Sequence, residues 1–145
     1  MLPIAEINYF DASAAVEKQY SKFLAPICKQ WNLTRNELDI LLFLYNNPEY
    51  DRAADIVSRR GITKSHVSLG VASLEEKGLL VRHFDENDRR TAHLKPEGRG
   101  VTIASQARQM QLQFFSALYA GITPEEFDIW KTIAHKICKN IENFD

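Results

Sequence analysis

The chain has 145 residues, of which 45% are hydrophobic, and this length corresponds to one domain with a core of its own. The formal net charge is −1, so the total charge does not indicate a nucleic-acid partner. No run of residues is long and apolar enough to span a membrane, and the first residues lack a signal-peptide pattern. We therefore expect a cytoplasmic protein with no membrane partner.

Residues 11–31 are predicted to form a long helix. Its apolar residues recur every three or four positions and are Val16, Tyr20, Phe23, Leu24, Ile27 and Trp31. Pro26 falls in the last turns of this helix and is expected to bend or loosen them.

A second helix is predicted to begin at Thr34, because Thr34 and Glu37 have the spacing of a capping box. Its apolar face is expected to consist of Leu38, Leu41, Leu42 and Tyr45. Asn46-Asn47-Pro48 is a helix-stopping sequence, so the helix should end there.

Two shorter helices are predicted next. The first covers about residues 52–60, with Ala53, Ile56 and Val57 directed inward, and Gly61 turns the chain into the second. The second is capped by Thr63, ends at Gly78 and has Val67, Val71 and Leu74 at helical spacing. Two short helices joined by a turn that contains Gly indicate a helix-turn-helix, whose second helix enters the DNA major groove.

The residues after Gly78 change to a strand-like pattern. Residues 79–84 and 91–95 are rich in strand formers, and the polar turn 85–90 between them carries Arg89 and Arg90. A helix followed by a β-hairpin with a charged tip indicates a winged helix. A helix of about 10–12 Å diameter fits the major groove of B-DNA, and arginines at the tip can reach the minor groove. The alternative is a surface hairpin whose charges are simply solvated.

Two further helices are predicted at the C-terminal end. One leads from Pro96-Glu97-Gly98 to about Ala120 and repeats apolar residues at Ile103, Ala107, Met110, Phe114 and Ala117. The other begins at Thr123-Pro124 and repeats them at Phe127, Trp130, Ala134, Ile137, Ile141 and Phe144. Such seams are typical of helices that pack against a partner helix, so we expect a homodimer. The alternative is that both faces pack within one chain.

Three motifs in the middle of the chain resemble the recognition helix and wing of the MarR family of transcriptional regulators. They are Leu74-x-x-x-Gly78-Leu79-x-x-Arg82, Asp85-x-x-Asp88-Arg89-Arg90 and Leu94-x-x-x-Gly98, and Asp88-Arg89-Arg90 matches the Asp-x-Arg wing motif of that family. The resemblance covers essentially the whole chain. It implies a mainly α fold in which a winged helix-turn-helix domain with a small β-hairpin wing carries N- and C-terminal dimerisation helices. We expect a single domain over residues 1–145, with a DNA-binding lobe at 34–96 and dimerisation helices at 1–31 and 97–145.

The function that we predict is that of a sequence-specific transcriptional regulator, which binds double-stranded DNA as a homodimer at a palindromic site and acts as a ligand-responsive repressor. Candidates for base contacts are the exposed N-terminal residues of the recognition helix: Lys64, Ser65, His66, Ser68 and Leu69. Leu69 suits the methyl group of thymine.

Several basic residues are candidates for contacts to the DNA backbone. Arg52, Arg59 and Arg60 are expected at phosphates, whereas Arg82 and Lys95 either face phosphates or flank the sheet. In the wing, Arg90 is the preferred groove-entering residue and Arg89 the alternative. Asp88 is expected to hold a neighbouring guanidinium group in place.

The resemblance also implies an effector pocket near the junction of the DNA-binding lobe and the dimerisation helices, suited to a small aromatic or amphipathic effector. The candidate lining residues are Tyr9, Phe10, Tyr20, Phe43 and Phe114. The alternative for each of these aromatic residues is ordinary burial in the core.

Other chemistries receive less support from the sequence. Cys28 and Cys138 are interpreted as structural buried thiols, with a redox-responsive regulator of the same fold as the alternative. His135 and Cys138 offer two ligands on one helix face, too few for a closed zinc site, so we predict no metal and no cofactor, and metal-responsive regulation remains an alternative. A phosphate loop, a nucleophile elbow and paired zinc histidines are lacking, so an enzyme is not expected. A winged helix that binds protein instead of DNA is the remaining alternative.

Overall fold

The computed structural model describes residues 9–144, with side chains from residue 12 onward. The elements in chain order are α1 (Tyr9–Trp31), α2 (Arg35–Asn46), α3 (Ala53–Arg60), α4 (Lys64–Glu76), β1 (Leu80–Phe84), β2 (Ala92–Pro96), α5 (Arg99–Leu118) and α6 (Pro124–Ile141), followed by a 3₁₀ turn over Glu142–Phe144. The predicted fold class is confirmed: residues 9–144 are mainly helical and contain one two-stranded antiparallel hairpin. Among the described residues, no helix is both long enough and apolar enough to cross a membrane. The chain forms two compact units, the first ending at Phe114 and the second beginning at Phe115.

Helix α2 lies at the centre of the first unit. The capping box is present, since Glu37 N–H donates to Thr34 Oγ1 at 3.2 Å and Thr34 N–H donates to Glu37 Oε2 at 2.8 Å. The buried residues of this helix are Glu37, Leu38, Ile40, Leu41, Leu42, Phe43 and Leu44. A helix that is apolar on nearly all sides is buried on nearly all sides. Tyr45, which we predicted on the inner face, is instead exposed, and its amphipathic phenol can remain in water there.

Helix α1 packs against α2 through the stripe that the sequence predicts. Tyr20, Leu24 and Ile27 are buried, whereas Phe23 on the same stripe is partly exposed. Pro26 lies inside the helix, which nevertheless continues to Trp31. The indole N–H of Trp31 donates to Gln106 Oε1 at 3.0 Å, which joins α1 to α5.

Helices α3 and α4 form the predicted helix-turn-helix. Gly61 has a φ of +63°, a left-handed conformation that favours glycine, and it connects the two helices. In α3, Ile56 is buried, but Ala53 is exposed, contrary to the prediction, because the first turn of the helix has solvent on that side. Thr63 caps α4 by accepting a hydrogen bond from His66 N–H at 3.3 Å.

The hairpin pairs β1 with β2 in the register Leu80↔Pro96 to Phe84↔Ala92. His83 and His93 are therefore cross-strand partners. The base of the hairpin lies directly against the start of α5. A Cβ atom at Gly100 would clash with the carbonyl oxygen of Leu79, so this close approach requires glycine.

The apolar stripes of α5 and α6 have different environments. In α5, Ile103, Ala107 and Phe114 are buried, whereas Met110 is half-buried and Ala117 is exposed. Helix α6 has no buried residue. Its exposed apolar side chains, with that of the following turn, are Ile129, Trp130, Ile133, Ile137, Ile141 and Phe144. The second unit thus presents an apolar face that its own residues do not cover.

Candidate DNA-binding surface

The recognition helix α4 packs closely on α2 near its N-terminal end. A Cβ atom at Gly70 would collide with Ile40 Cδ1 and with the side-chain amide of Asn36. That amide donates to the backbone carbonyl of His66 at 2.8 Å. The absence of a side chain at Gly70 therefore allows the two helices to approach closely.

The C-terminal end of α4 is held by a buried carboxylate. Glu37 is 3% exposed and accepts hydrogen bonds from the Ser73 hydroxyl and from Lys77 Nζ, the latter at 3.0 Å. Burial raises the pKa of Glu37, but the hydrogen bonds from Ser73, Thr34 and Lys77 outweigh it, so the pKa of this carboxyl lies below its usual value. The anchor is therefore an ionised carboxylate, and the recognition helix is fixed at both ends.

The residues that we predicted to face DNA on α4 are all exposed: Lys64, Ser65, His66, Ser68 and Leu69. Val67, Gly70, Val71 and Leu74 are buried on the other side of the helix. The face that is left open carries hydroxyl groups, one ammonium group, one imidazole and one large aliphatic side chain.

The tip of the wing is organised by Asp88. Its carboxylate accepts a hydrogen bond from Arg90 N–H at 2.9 Å and one from the Thr91 hydroxyl at 3.0 Å. The prediction that Asp88 holds a guanidinium group is wrong, because an aspartate reaches the backbone two residues ahead more readily than a long side chain. These bonds, that of Arg90 N–H first, hold the pKa of Asp88 below its usual value. Arg89 and Arg90 are both exposed at the tip.

The base of the wing contains an arrangement that the sequence analysis missed. His93 Nδ1 lies 2.8 Å from Asp51 Oδ1, and His93 Nε2 lies 3.2 Å from Asp85 Oδ2. Leu94 N–H also donates to the Asp51 carbonyl at 2.7 Å, so the segment before α3 is bonded to β2. The hydrogen bond to Asp51, followed by that to Asp85, raises the pKa of His93. Asp51 is 42 residues from His93, and no local sequence pattern indicates that they meet.

The remaining predicted basic residues are divided between the surface and internal contacts. Arg82 forms a two-pronged ion pair with Glu75 at 2.9 and 3.0 Å, which supports the alternative that it flanks the sheet. Arg52 and Lys95 are exposed. The Arg59 guanidinium lies 3.4 Å from the centre of the Tyr50 ring, and an Arg60 nitrogen lies 4.0 Å from Asp39 Oδ1.

A cavity of about 220 Å³ lies in the first unit. Its lining residues come from α2, α3, α5 and the turn after α2 and are Leu42, Phe43, Asn46, Asn47, Arg59, Arg60 and Gln111. Gln111 accepts from Asn46 Nδ2 at 3.0 Å and donates to the Tyr20 hydroxyl at 3.0 Å. The lining is mostly polar, with two guanidinium groups and a smaller apolar part from Leu42 and Phe43, which is suited to an anionic organic molecule.

The cavity overlaps only partly with the predicted effector pocket. Phe43 lies on its wall, whereas Tyr20 and Phe114 contact each other, with ring centroids 5.0 Å apart. The side chains of Tyr9 and Phe10 lie outside the described residues. The polar lining residues were not predicted from the sequence, because nothing in their spacing indicates that α3 and α5 meet at this cavity.

The two cysteines differ from each other. Cys28 is half-buried, and burial raises the pKa of its thiol. Cys138 is exposed, so its interpretation as a buried structural thiol is wrong; α6, on which it lies, has no buried residue. Within the part of the chain that the structure describes, no group of three or more metal-ligating side chains comes together.

Comparison with known proteins gives consistent results. Residues 31–91, which include α2, α3, α4 and β1, match the model of the MarR family. The chain is 23% identical over 116 residues to YybA, an uncharacterized helix-turn-helix-type transcriptional regulator of Bacillus subtilis (strain 168), covering 79% of this chain and 75% of YybA.

Many solved structures have a similar fold, among them these two, each with a bound molecule. One is a MarR family transcriptional regulator from Listeria monocytogenes complexed with 26mer DNA, with a TM-score of 0.82, 16% identity and coverage of 94% of this chain and 91% of that one. The other is NadR in complex with 4-hydroxyphenylacetate, with a TM-score of 0.72, 22% identity and coverage of 90% and 89%.

Proposed function

We propose that the chain is a transcriptional regulator of the MarR family, since residues 31–91 match the model of that family, and that it binds double-stranded DNA at a palindromic site as a homodimer and represses transcription there. In this proposal, residues 34–96 are the DNA-binding lobe, and residues 1–31 and 97–145 supply the dimerisation helices. A dimer bound over a promoter represses because it excludes the polymerase from the same DNA. Such a regulator acts in the cytoplasm.

The observation that carries the proposal is the combination of an anchored helix and an exposed arginine tip. Gly70 and Glu37 fix α4 against α2, so the face with Ser65 and Leu69 has one orientation. The hydrogen bonds to Asp88 fix the backbone of the tip, and the side chains of Arg89 and Arg90 are exposed there. A rigid helix and a charged tip on one lobe have the chemistry that major-groove reading and minor-groove contact require.

The dimer is supported by the apolar face of α6. Six large apolar side chains between Ile129 and Phe144 are exposed, and Phe144 is 86% exposed. Soluble proteins rarely leave a contiguous apolar patch of this extent uncovered. A two-fold partner would cover it and would place two recognition helices at half-sites about one helical turn apart.

The DNA-binding proposal is tested by the variants Arg90→Ala and Arg89→Ala/Arg90→Ala. The probe is a duplex selected by the wild-type protein from a random library, and Kd is measured by fluorescence anisotropy at several salt concentrations. We expect weaker binding at every sequence and a slope of log K against log salt that is smaller by about one for each arginine that contacts phosphate.

Glu86→Gln is the matched control, because Glu86 is exposed at the same tip and carries the opposite charge. Removal of this negative charge should strengthen binding slightly, whereas a mere disturbance of the tip would weaken it. If both arginine variants keep the wild-type affinity and salt slope with native circular dichroism, the proposed role of the wing is wrong.

The cavity between α2, α3 and α5 supports a response to an anionic effector. Arg59 and Arg60 contribute positive charge, and Phe43 and Leu42 contribute an apolar wall. The complex of NadR with 4-hydroxyphenylacetate provides a probe of this class, an aromatic carboxylate. An effector regulates only through different affinities for the DNA-competent and DNA-incompetent states.

We expect 4-hydroxyphenylacetate at millimolar concentration to raise the Tm of the wild-type protein and to weaken its binding to the selected duplex. Arg60→Gln should reduce both effects, because it removes one charge from the wall of the cavity. Calorimetry measures the change in Tm, and fluorescence anisotropy measures the change in DNA affinity. An identical response of the wild type and the variant would contradict the assignment of this cavity, and no response at all would contradict the proposed effector class.

A further inference from the structure

The open face of α4 has a defined centre. Successive residues of an α-helix are separated by about 100° around the axis. Since Val67, Gly70, Val71 and Leu74 are buried, the residues on the opposite side are Ser65, Leu69, Ala72 and Glu76. Leu69 lies in the middle of this strip and in the N-terminal half of the helix, which is the half that contacts base edges in helix-turn-helix proteins.

The chemistry of this strip is unusual for a surface that reads bases. Leu69 is 67% exposed, although a leucine in water loses the free energy that its burial would provide. The strip contains no Arg, Lys, Asn or Gln, so it has no side chain for two-pronged hydrogen bonding to guanine or adenine. The strip offers a small hydroxyl, a methyl and an isobutyl group, and at its C-terminal end the carboxylate of Glu76, which can only accept hydrogen bonds.

We propose that Leu69 recognises the C5 methyl group of thymine in each half-site, so that the operator is read partly by apolar contact. This inference rests on the proposed DNA-binding function and specifies its readout. In the major groove, thymine presents a methyl group that uracil and cytosine lack. Ser65 and Ala72, the neighbours of Leu69 on the strip, are short, so Leu69 projects beyond both of them; the longer Glu76 lies at the C-terminal end of α4, away from the half of the helix that contacts bases.

The experiment replaces thymine by deoxyuridine. A duplex is first selected from a random library by the wild-type protein, and each thymine of the half-site is then replaced singly by deoxyuridine, which removes one methyl group and keeps the base pair. We expect one replacement to raise Kd about fourfold for the wild type, the effect of burying one methyl group. The same replacement should leave Kd unchanged for Leu69→Ala.

Leu69→Ala is a suitable variant for this comparison, because an exposed leucine contributes little to the core. Circular dichroism checks that the variant is folded. Thymines outside the half-site serve as the internal control and should tolerate deoxyuridine. A second variant, Leu69→Gln, should shift a repeated selection toward adenine at that position.

The outcomes distinguish this inference from the proposed function. A deoxyuridine penalty that is equal in the wild type and Leu69→Ala, or that is absent in both, overturns the inference while DNA binding stands. Selection that yields bound DNA without any sequence preference also overturns it. Failure of the protein to bind any duplex overturns the proposed function and the inference with it.

Discussion

His93 illustrates how single residues connect the wing to the rest of the lobe. Its two ring nitrogens lie 2.8 Å from Asp51 and 3.2 Å from Asp85. A neutral imidazole has only one N–H, so it can donate to only one of these carboxylates, whereas a protonated imidazole can donate to both. His83 lies across the hairpin from it, and Asp88 is close enough to interact electrostatically with His93 and with Arg52, the residue before α3.

The pH dependence of stability follows from this contact. The folded pKa of His93 is raised, so protonation is favoured by folding, and the stabilisation is fully present below the unfolded pKa of about 6.5. It is lost as pH rises through the folded value. We therefore expect the difference in free energy of unfolding between the wild type and His93→Asn to be largest near pH 6 and to shrink at higher pH.

Chemical denaturation of both proteins at several pH values measures this difference. His83→Asn is the matched control, since His83 is the cross-strand neighbour and is exposed, and its effect should be small at every pH. If the difference in free energy of unfolding between the wild type and His93→Asn stays constant or grows as pH rises, His93 is not a protonated histidine that donates hydrogen bonds to both Asp51 and Asp85.

The residues that could be predicted from the sequence are those whose partners are local. The caps at Thr34, Thr63 and Thr123 accept hydrogen bonds from residues three positions ahead, so their spacing is visible in the sequence. Glu37 and Lys77 are 40 residues apart and meet only because α4 packs on α2. Asp88 was assigned the wrong partner, because its motif shows that it is important but not which group it holds.

For the helices, too, the sequence predicts local features but not the tertiary contacts that each helix makes. The spacing of apolar residues predicts both α5 and α6, including the stripes from Ile103 and from Phe127. It does not predict what covers each stripe: Ile103, Ala107 and Phe114 are buried in their own unit, and Ile137 and Ile141 are exposed. Periodicity reports that a face is apolar, whereas its partner depends on tertiary contacts that one sequence does not contain.

Helix α6 is therefore the element on which dimer formation is expected to depend. Within its unit, Tyr119, Phe127 and Trp130 pack together, with ring centroids 5.3–5.9 Å apart, so one end of the helix is organised by contacts of its own. The exposed residues Ile133, Ile137 and Ile141 continue beyond this cluster at helical spacing. Apolar residues at three- and four-residue spacing are what a partner helix buries.

The basic and acidic residues of the molecule are distributed unevenly along the chain, although the total charge is only −1. Residues 51–100 hold 10 Lys and Arg against 8 Asp and Glu, while the rest of the chain holds 8 against 11. This difference is small, and the wing tip at 85–90 holds three acidic residues beside Arg89 and Arg90, so the proposed attraction to DNA depends on the positions of individual charges. In the proposed dimer, two lobes would double the number of contacts, and both half-sites would have to lie on the same face of the duplex.

The mass of the protein–DNA complex, measured by sedimentation velocity on the selected duplex, tests this account most directly. We predict two chains of 16.6 kDa per duplex and a loss of affinity of at least about tenfold when about 5 base pairs are inserted between the half-sites, because half a helical turn places them on opposite faces. A complex with one chain per duplex, or an affinity that is indifferent to the insertion, would contradict it.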